Sequence, residues 1–166
     1  FFGRIFARGG KTSGNGGAVE VSGLGRFGFA GYVNTKAFNG TNGQLTIDPY
    51  DIEIVAGTGT NCDFTGADPD VLIISAAPCR LGTDALKSAL DNNNVVIRTV
   101  NAAGDESGDI TLAAAITQEI WSSDNNLTLQ ADNAIFINKP ILWQGAGTLT
   151  LTAAGSININ ANIMNK

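Results

Sequence analysis

Hydrophobic and polar positions alternate in short bursts along the chain, and towards the C-terminal end the bursts repeat. Leu127-Thr-Leu129 and Ile135-Phe-Ile137 return 22 residues later as Leu149-Thr-Leu151 and Ile157-Asn-Ile159. Ala131, Asn138 and Ile141 meet identical residues at the same offset, and Trp121 and Trp143 share it. Alternation with a period of two predicts strands with one buried face. A strand pair that recurs about every 20 residues predicts a solenoid, because each coil must stack on the next to bury its apolar side. The expected fold class is therefore all-β, a right-handed parallel β-helix. Leu and Ile point into the tube, while Thr, Gln and Asn face water.

The same pattern runs back through the chain. Residues 3–8 read as a strand. Ala18-Val-Glu-Val-Ser22 alternates, and Arg26-Phe-Gly-Phe-Ala30 is its expected partner after the Gly23-Leu-Gly25 corner. Leu45 and Ile47 make one inward pair and Ile52 and Ile54 the next, with Asp48-Pro49 between them, since proline cannot donate to a ladder. Val95-Val-Ile-Arg-Thr99 and Ile110-Thr-Leu112 continue the tube. Two stretches break the pattern. Residues 56–82 read as an insertion. Residues 83–91 read as one short helix with Thr83 as N-cap and Ala85, Leu86, Ala89 and Leu90 on one face. No linker composition or charge block divides the chain, so residues 1–166 are expected to form a single domain.

Composition narrows the class. The 166 residues include 21 glycines and only 15% charged residues, with 43% apolar, which suits a β-rich chain with many corners. The formal net charge is −5 and histidine is absent. An acidic chain without a basic stripe is not expected to bind nucleic acid, whose affinity comes largely from phosphate neutralisation. Anionic lipid is disfavoured on the same ground. No apolar run is long enough to span a bilayer, so no membrane insertion is expected. The two cysteines, Cys62 and Cys79, favour a disulfide across the insertion in an oxidising compartment, with two buried thiols as the alternative.

Several stretches, in order, resemble filamentous haemagglutinin-type exoproteins exported by two-partner secretion. They are Gly16-Gly-Ala-Val-Glu-Val-Ser-Gly23, Gly43 to Ile54, Ala85 to Thr99, Ser107-Gly-Asp-Ile-Thr-Leu112, Leu127-Thr-Leu-Gln-Ala131 and Leu149-Thr-Leu-Thr-Ala153. The resemblance implies a parallel β-helix on the outer surface of a Gram-negative bacterium, in an adhesin or filament. The chain lacks the Asn-Pro motif of that family's secretion domain, and its cysteine pair departs from the family's usual avoidance of cysteine.

Without histidine, the Ser-His and Cys-His arrangements of nucleophilic catalysis are excluded. Asp63, Asp68, Asp70, Asp105, Glu106 and Asp109, with Arg80 and Arg98, are the candidates for a polysaccharide-active site, and Asp105 to Asp109 for calcium. Each reads more simply as solvated loop charge. Thr128, Thr148, Thr150 and Thr152 form at most a short threonine array. Trp121 and Trp143 either stack on each other in the core or stand exposed to a sugar. No cofactor is expected.

The ends carry the sharper expectation. Phe1, Phe2, Ile5 and Phe6 at one end, and Ile157, Ile159, Ile163 and Met164 at the other, keep an apolar strand pattern without a polar cap. Both ends read as interior coils, either of a longer solenoid or of subunits stacked head to tail. The expected function is a non-enzymatic extracellular structural protein: a filament subunit whose partners are copies of itself, or the shaft of an adhesin beside flanking coils. The alternative is an adhesin module that binds a host receptor or glycan through residues 56–82. A polysaccharide-active enzyme is the weakest reading.

Overall fold

The computed structural model describes residues 1–23, 28–59, 79–99 and 107–166. They form a parallel β-solenoid of about five turns. Fourteen short strands and one helix follow one another: β1 Arg4–Phe6, β2 Ala18–Ser22, β3 Tyr32–Asn34, β4 Gln44–Asp48, β5 Ile52–Val55, β6 Cys79–Gly82, α1 Thr83–Leu90, β7 Asn94–Arg98, β8 Ile110–Leu112, β9 Leu127–Ala131, β10 Ile135–Ile137, β11 Ile141–Trp143, β12 Leu149–Ala153, β13 Ile157–Ile159 and β14 Ile163–Asn165.

Two five-stranded parallel sheets make two walls of the tube, in the orders β2-β4-β7-β9-β12 and β6-β5-β8-β10-β13. The register explains the sequence repeat. Leu127 lies beside Leu149, Leu129 beside Leu151, Ile135 beside Ile157 and Ile141 beside Ile163. Side chains that alternate along each strand therefore stack in columns across strands. Val19, Leu45, Val95, Leu127 and Leu149 form one column, and Ile52, Ile110, Ile135 and Ile157 another. In the middle of the solenoid these residues are at most 1% exposed.

A third wall was not evident in the two-strand repeat. It comprises β1 paired with β3, and β11 paired with β14, with Ile116 bridged to Ile141. In chain order α1 takes this wall's place in the coil that holds β4 and β5. It packs on β3, β6 and β7 and buries Leu86, Ala89 and Leu90.

The structure corrects the sequence reading in three places. Residues 28–30 are not strand, and 24–27 lie outside the described residues. Instead Ala30 N–H donates to Phe1 O at 3.1 Å, Tyr32 N–H donates to Gly3 O at 2.9 Å, and Phe29 is buried beside Phe1. The place beside β5 goes to β6, from the end of the expected insertion, with Ile52 paired to Cys79 and Ile54 to Leu81. The insertion thus returns four residues to the tube, because Cys79-Arg-Leu81 alternates as a wall strand does. Finally, Thr83 does not cap the helix. Gly82 is the N-cap, without a side-chain bond, and the Thr83 hydroxyl accepts from Gly57 N–H at 2.9 Å.

β6 fits because residue 82 is glycine. A Cβ there would lie 2.2 Å from Thr58 C and 2.3 Å from Gly57 O. Gly57 and Gly59, both at φ +72°, carry the turn that passes so close. With β6 in place, both sheets begin one strand before the consecutive pair β4 and β5, so their first edges stand at one level.

Candidate functional site

Polar corners lock each coil to the next, and the chemistry-bearing residues have to be read against that role. Asn126 Oδ1 accepts from Thr148 N–H at 2.9 Å, Asp124 Oδ1 accepts from Ala146 N–H at 2.8 Å, and Asn160 Nδ2 donates to Asn138 Oδ1 at 2.9 Å. All three bonds join residues 22 apart. The first two satisfy backbone N–H groups that a turn would otherwise leave without partners, and the third joins two side chains.

Asp109 belongs to the same kind of corner. Its Oδ1 accepts from Ala134 N–H at 3.0 Å and from Asn133 Nδ2 at 2.8 Å, while its own N–H donates to Asp51 Oδ1 at 2.7 Å. Asp109 thus joins three successive coils, the next through its carboxylate and the previous through its backbone N–H. Asp105 and Glu106, and Asp63, Asp68 and Asp70, lie outside the described residues. No group of three or more His, Cys, Asp or Glu side chains able to hold a metal is present among the described residues.

The two candidate cations are on different walls and each has its own acid. Arg80 Nε donates to Glu53 at 2.9 Å across the β5–β6 pair. Arg98 Nε donates to Asp48 at 3.0 Å, a second guanidinium nitrogen also bonds Asp48, and Glu20 lies 3.8 Å away. The hydrogen bond to Asp48 is the main cause that raises the Arg98 pKa, partly opposed by burial and helped by the charges of Asp48 and Glu20. Neither arginine is among the hydrogen-bond or ion-pair partners of Asp109.

Trp121 and Trp143 are stacked at 4.9 Å and 11°, and are 0% and 9% exposed. Each indole N–H donates to a carbonyl four residues on, Asn125 O at 2.9 Å and Gly147 O at 2.8 Å. They are core residues, which removes the sugar-stacking option. Thr128 and Thr150 are neighbours on the outer face of the first sheet, but Val96 and Gln130 interrupt the array. An open hollow of about 280 Å³ lies between β3 and α1, lined by Tyr32, Thr58, Asp84 and Ser88 among others.

The end residues fall into three groups. At β12–β14 the columns lose their cover: Ile157 is 42% exposed and Ile159 56%, while Leu149, Leu151 and Ile163 are half-buried; Met164, beside Leu142 on the other face of its strand, is 41% exposed. Phe1 and Ile5 are half-buried against the core. Phe2 and Phe6 are exposed, with Phe6 tilted on Tyr32 on the outer flank. Among first-edge strands, Val19 and Val21 of β2 are half-buried and Cys79 and Leu81 of β6 are buried. Cys62 is outside the described residues, so the expected Cys62–Cys79 pairing lies there too. Sequence reasoning missed Arg4, Tyr32 and Lys36 on the wall that carries Phe2 and Phe6, and the exposed Phe38 beyond it. The signal was the alternation Phe2, Arg4, Phe6, Arg8.

A comparison with protein-family models finds no match, and a comparison with curated proteins finds none either. Among the described residues no helix is long and apolar enough to cross a membrane.

Proposed function

We propose that this chain is a structural solenoid segment of the cell exterior, a rod element that associates end to end through its β12–β14 coil. The observation that supports this reading is the exposure of Ile157 and Ile159, in columns whose previous members Ile135 and Ile137 are 0% exposed. A further coil in register would bury them as β13 buries β10, and would give the free edges of β12 and β13 their ladder partners. In self-association of this chain, the occupant is the first edge of a second copy. There β2 and β6 stand at one level, so Leu149 and Leu151 would meet Val19 and Val21. Such a contact is heterologous and continues into an open filament. The role is mechanical, with stacked columns giving stiffness and corner amides fixing the register. No chemistry at the ends is required.

Negative-stain electron microscopy tests the reading. The 166-residue chain should form filaments one solenoid wide. An Ile157→Lys/Ile159→Lys variant, altered only where side chains are exposed, should give short separate rods. Short rods from the unaltered chain across a wide concentration range would overturn the proposal.

A further inference from the structure

Charge is unevenly distributed along this solenoid. Residues 1–47 carry Arg4, Arg8, Lys11, Arg26 and Lys36 against a single acid, Glu20, and every other one of the chain's 15 acidic residues lies from Asp48 onward. Glu20 itself is on the first sheet, turned towards Arg98. The acidic total therefore conceals a cationic end.

The β1–β3 wall brings three of these cations, Arg4, Arg8 and Lys36, onto one flank. Phe2, Arg4, Phe6 and Arg8 are all exposed and share one side of an extended segment, while Ile5 and Ala7 between them are half-buried. Arg4 lies opposite Tyr32 and Phe6 opposite Asn34. The ladder runs on past the strands, with Ala7 N–H to Asn34 O at 3.0 Å and Gly9 N–H to Lys36 O at 3.0 Å, so Arg8 stands beside Lys36. Phe38 follows two residues later and is 79% exposed; Phe2 is 65% and Phe6 59% exposed. The Arg4 guanidinium sits 5.9 Å from the centre of the Tyr32 ring.

We propose that this flank is a docking surface for an anionic phospholipid bilayer. Phenyl rings interleaved with Arg and Lys are the side chains that settle at the boundary of headgroup and acyl chain, with the cations on lipid phosphates. The remote acids do not cancel this attraction, because charge is screened over about 10 Å at moderate salt. At Phe6 and Tyr32, stacking on nucleic bases or sugars is disfavoured by the same geometry. Phe6 leans on Tyr32 at 54° and Arg4 covers Tyr32, so neither ring offers a free flat platform. This surface lies on the flank and is independent of end-to-end association.

Co-sedimentation with vesicles tests it. The chain should bind phosphatidylcholine vesicles containing about 30 mol % phosphatidylglycerol roughly tenfold more than pure phosphatidylcholine, and less as salt rises. Arg4→Glu/Arg8→Glu and Phe2→Ser/Phe38→Ser should each lose most of that binding while keeping the unfolding midpoint. Where a double variant does not fold, a Phe38→Trp chain supplies the second measurement, with emission that shifts to the blue on the anionic vesicles only. Equal binding to both vesicles, no binding, or unaltered binding by the folded variants would overturn the proposal. Retention on a sulfated polysaccharide without vesicle binding would overturn it in favour of a different partner.

Discussion

Asn93 joins three parts of the solenoid through one side chain. Its Nδ2 donates to Val33 O at 3.0 Å and to Ala89 O at 2.9 Å, and its Oδ1 accepts from Thr35 N–H at 2.8 Å, all in full burial. Leucine has nearly the same shape and none of these bonds, so Asn93→Leu removes a buried bond from three backbone groups, of which Ala89 O keeps Asn92 N–H at 3.1 Å and Thr35 N–H keeps only a long contact to Asn92 O at 3.4 Å. The expected loss is about 2–4 kcal/mol, read as a lower urea midpoint at unchanged slope. Arg98 makes a contrasting case. Its pKa is raised in the folded chain, so its contribution is complete below the unfolded value and is lost only as pH climbs through the still higher folded value. That window lies beyond ordinary alkaline conditions, and the arginine's own titration gives the solenoid no pH dependence near neutrality.

At the scale of elements, the two main walls and the insertion at 56–82 were legible, and the return of the insertion's last residues beside β5 was not. Leu127, Leu129, Ile135 and Ile137 announced their strands because identical residues recur at one offset and every inward position is apolar. The Ile141-Leu-Trp143 strand was less visible, since three residues with no polar position give no alternation. β6 was hidden for a different reason. Parallel sheets accept a strand from anywhere in the chain, so local pattern identifies Cys79-Arg-Leu81 as a strand without saying where it pairs. Nothing in Arg26 to Ala30 reports that the place it was expected to fill is taken. The site residues were legible in type more than in role: Asp109 is a corner brace and the tryptophans are core, which only the fold decides. Cysteine chemistry belongs at this scale as well. A Cys62–Cys79 bridge would tie the insertion to β6, and we expect the unreduced chain to resist alkylation at both positions. Reduction should then lower its stability by about 3 kcal/mol. Uptake of two alkyl groups by the unreduced, denatured chain would refute the bridge.

Taken whole, the molecule has two unlike ends: one basic and aromatic on its flank, the other apolar and open. The interior between them is continuous, and the corner bonds run from coil to coil without a break from Asp51 through Asp109 to Asn133. The out-of-order placement of β6 has a consequence in time. A chain released from its N-terminus forward can pair β2 with β4 early, but the opposite wall of that coil lacks its edge until residue 82 has emerged. β4 then meets β7 and β5 meets β8 at least 50 residues further along the chain (Leu45 with Val95, Ile52 with Ile110), so this coil closes through distant contacts. β9 to β14, by contrast, close with partners only 22 residues away and can add one coil at a time. Contacts between distant residues form slowly and near ones quickly. Pulse-labelled hydrogen exchange during refolding should then show the amides of β9 and β10 protected before those of β5 and β6. The reverse order would place the nucleus at the cationic end. The solenoid would thus be built in two tempos, a fast winding at β9 to β14 and a slow closure of the coil that holds β5 and β6.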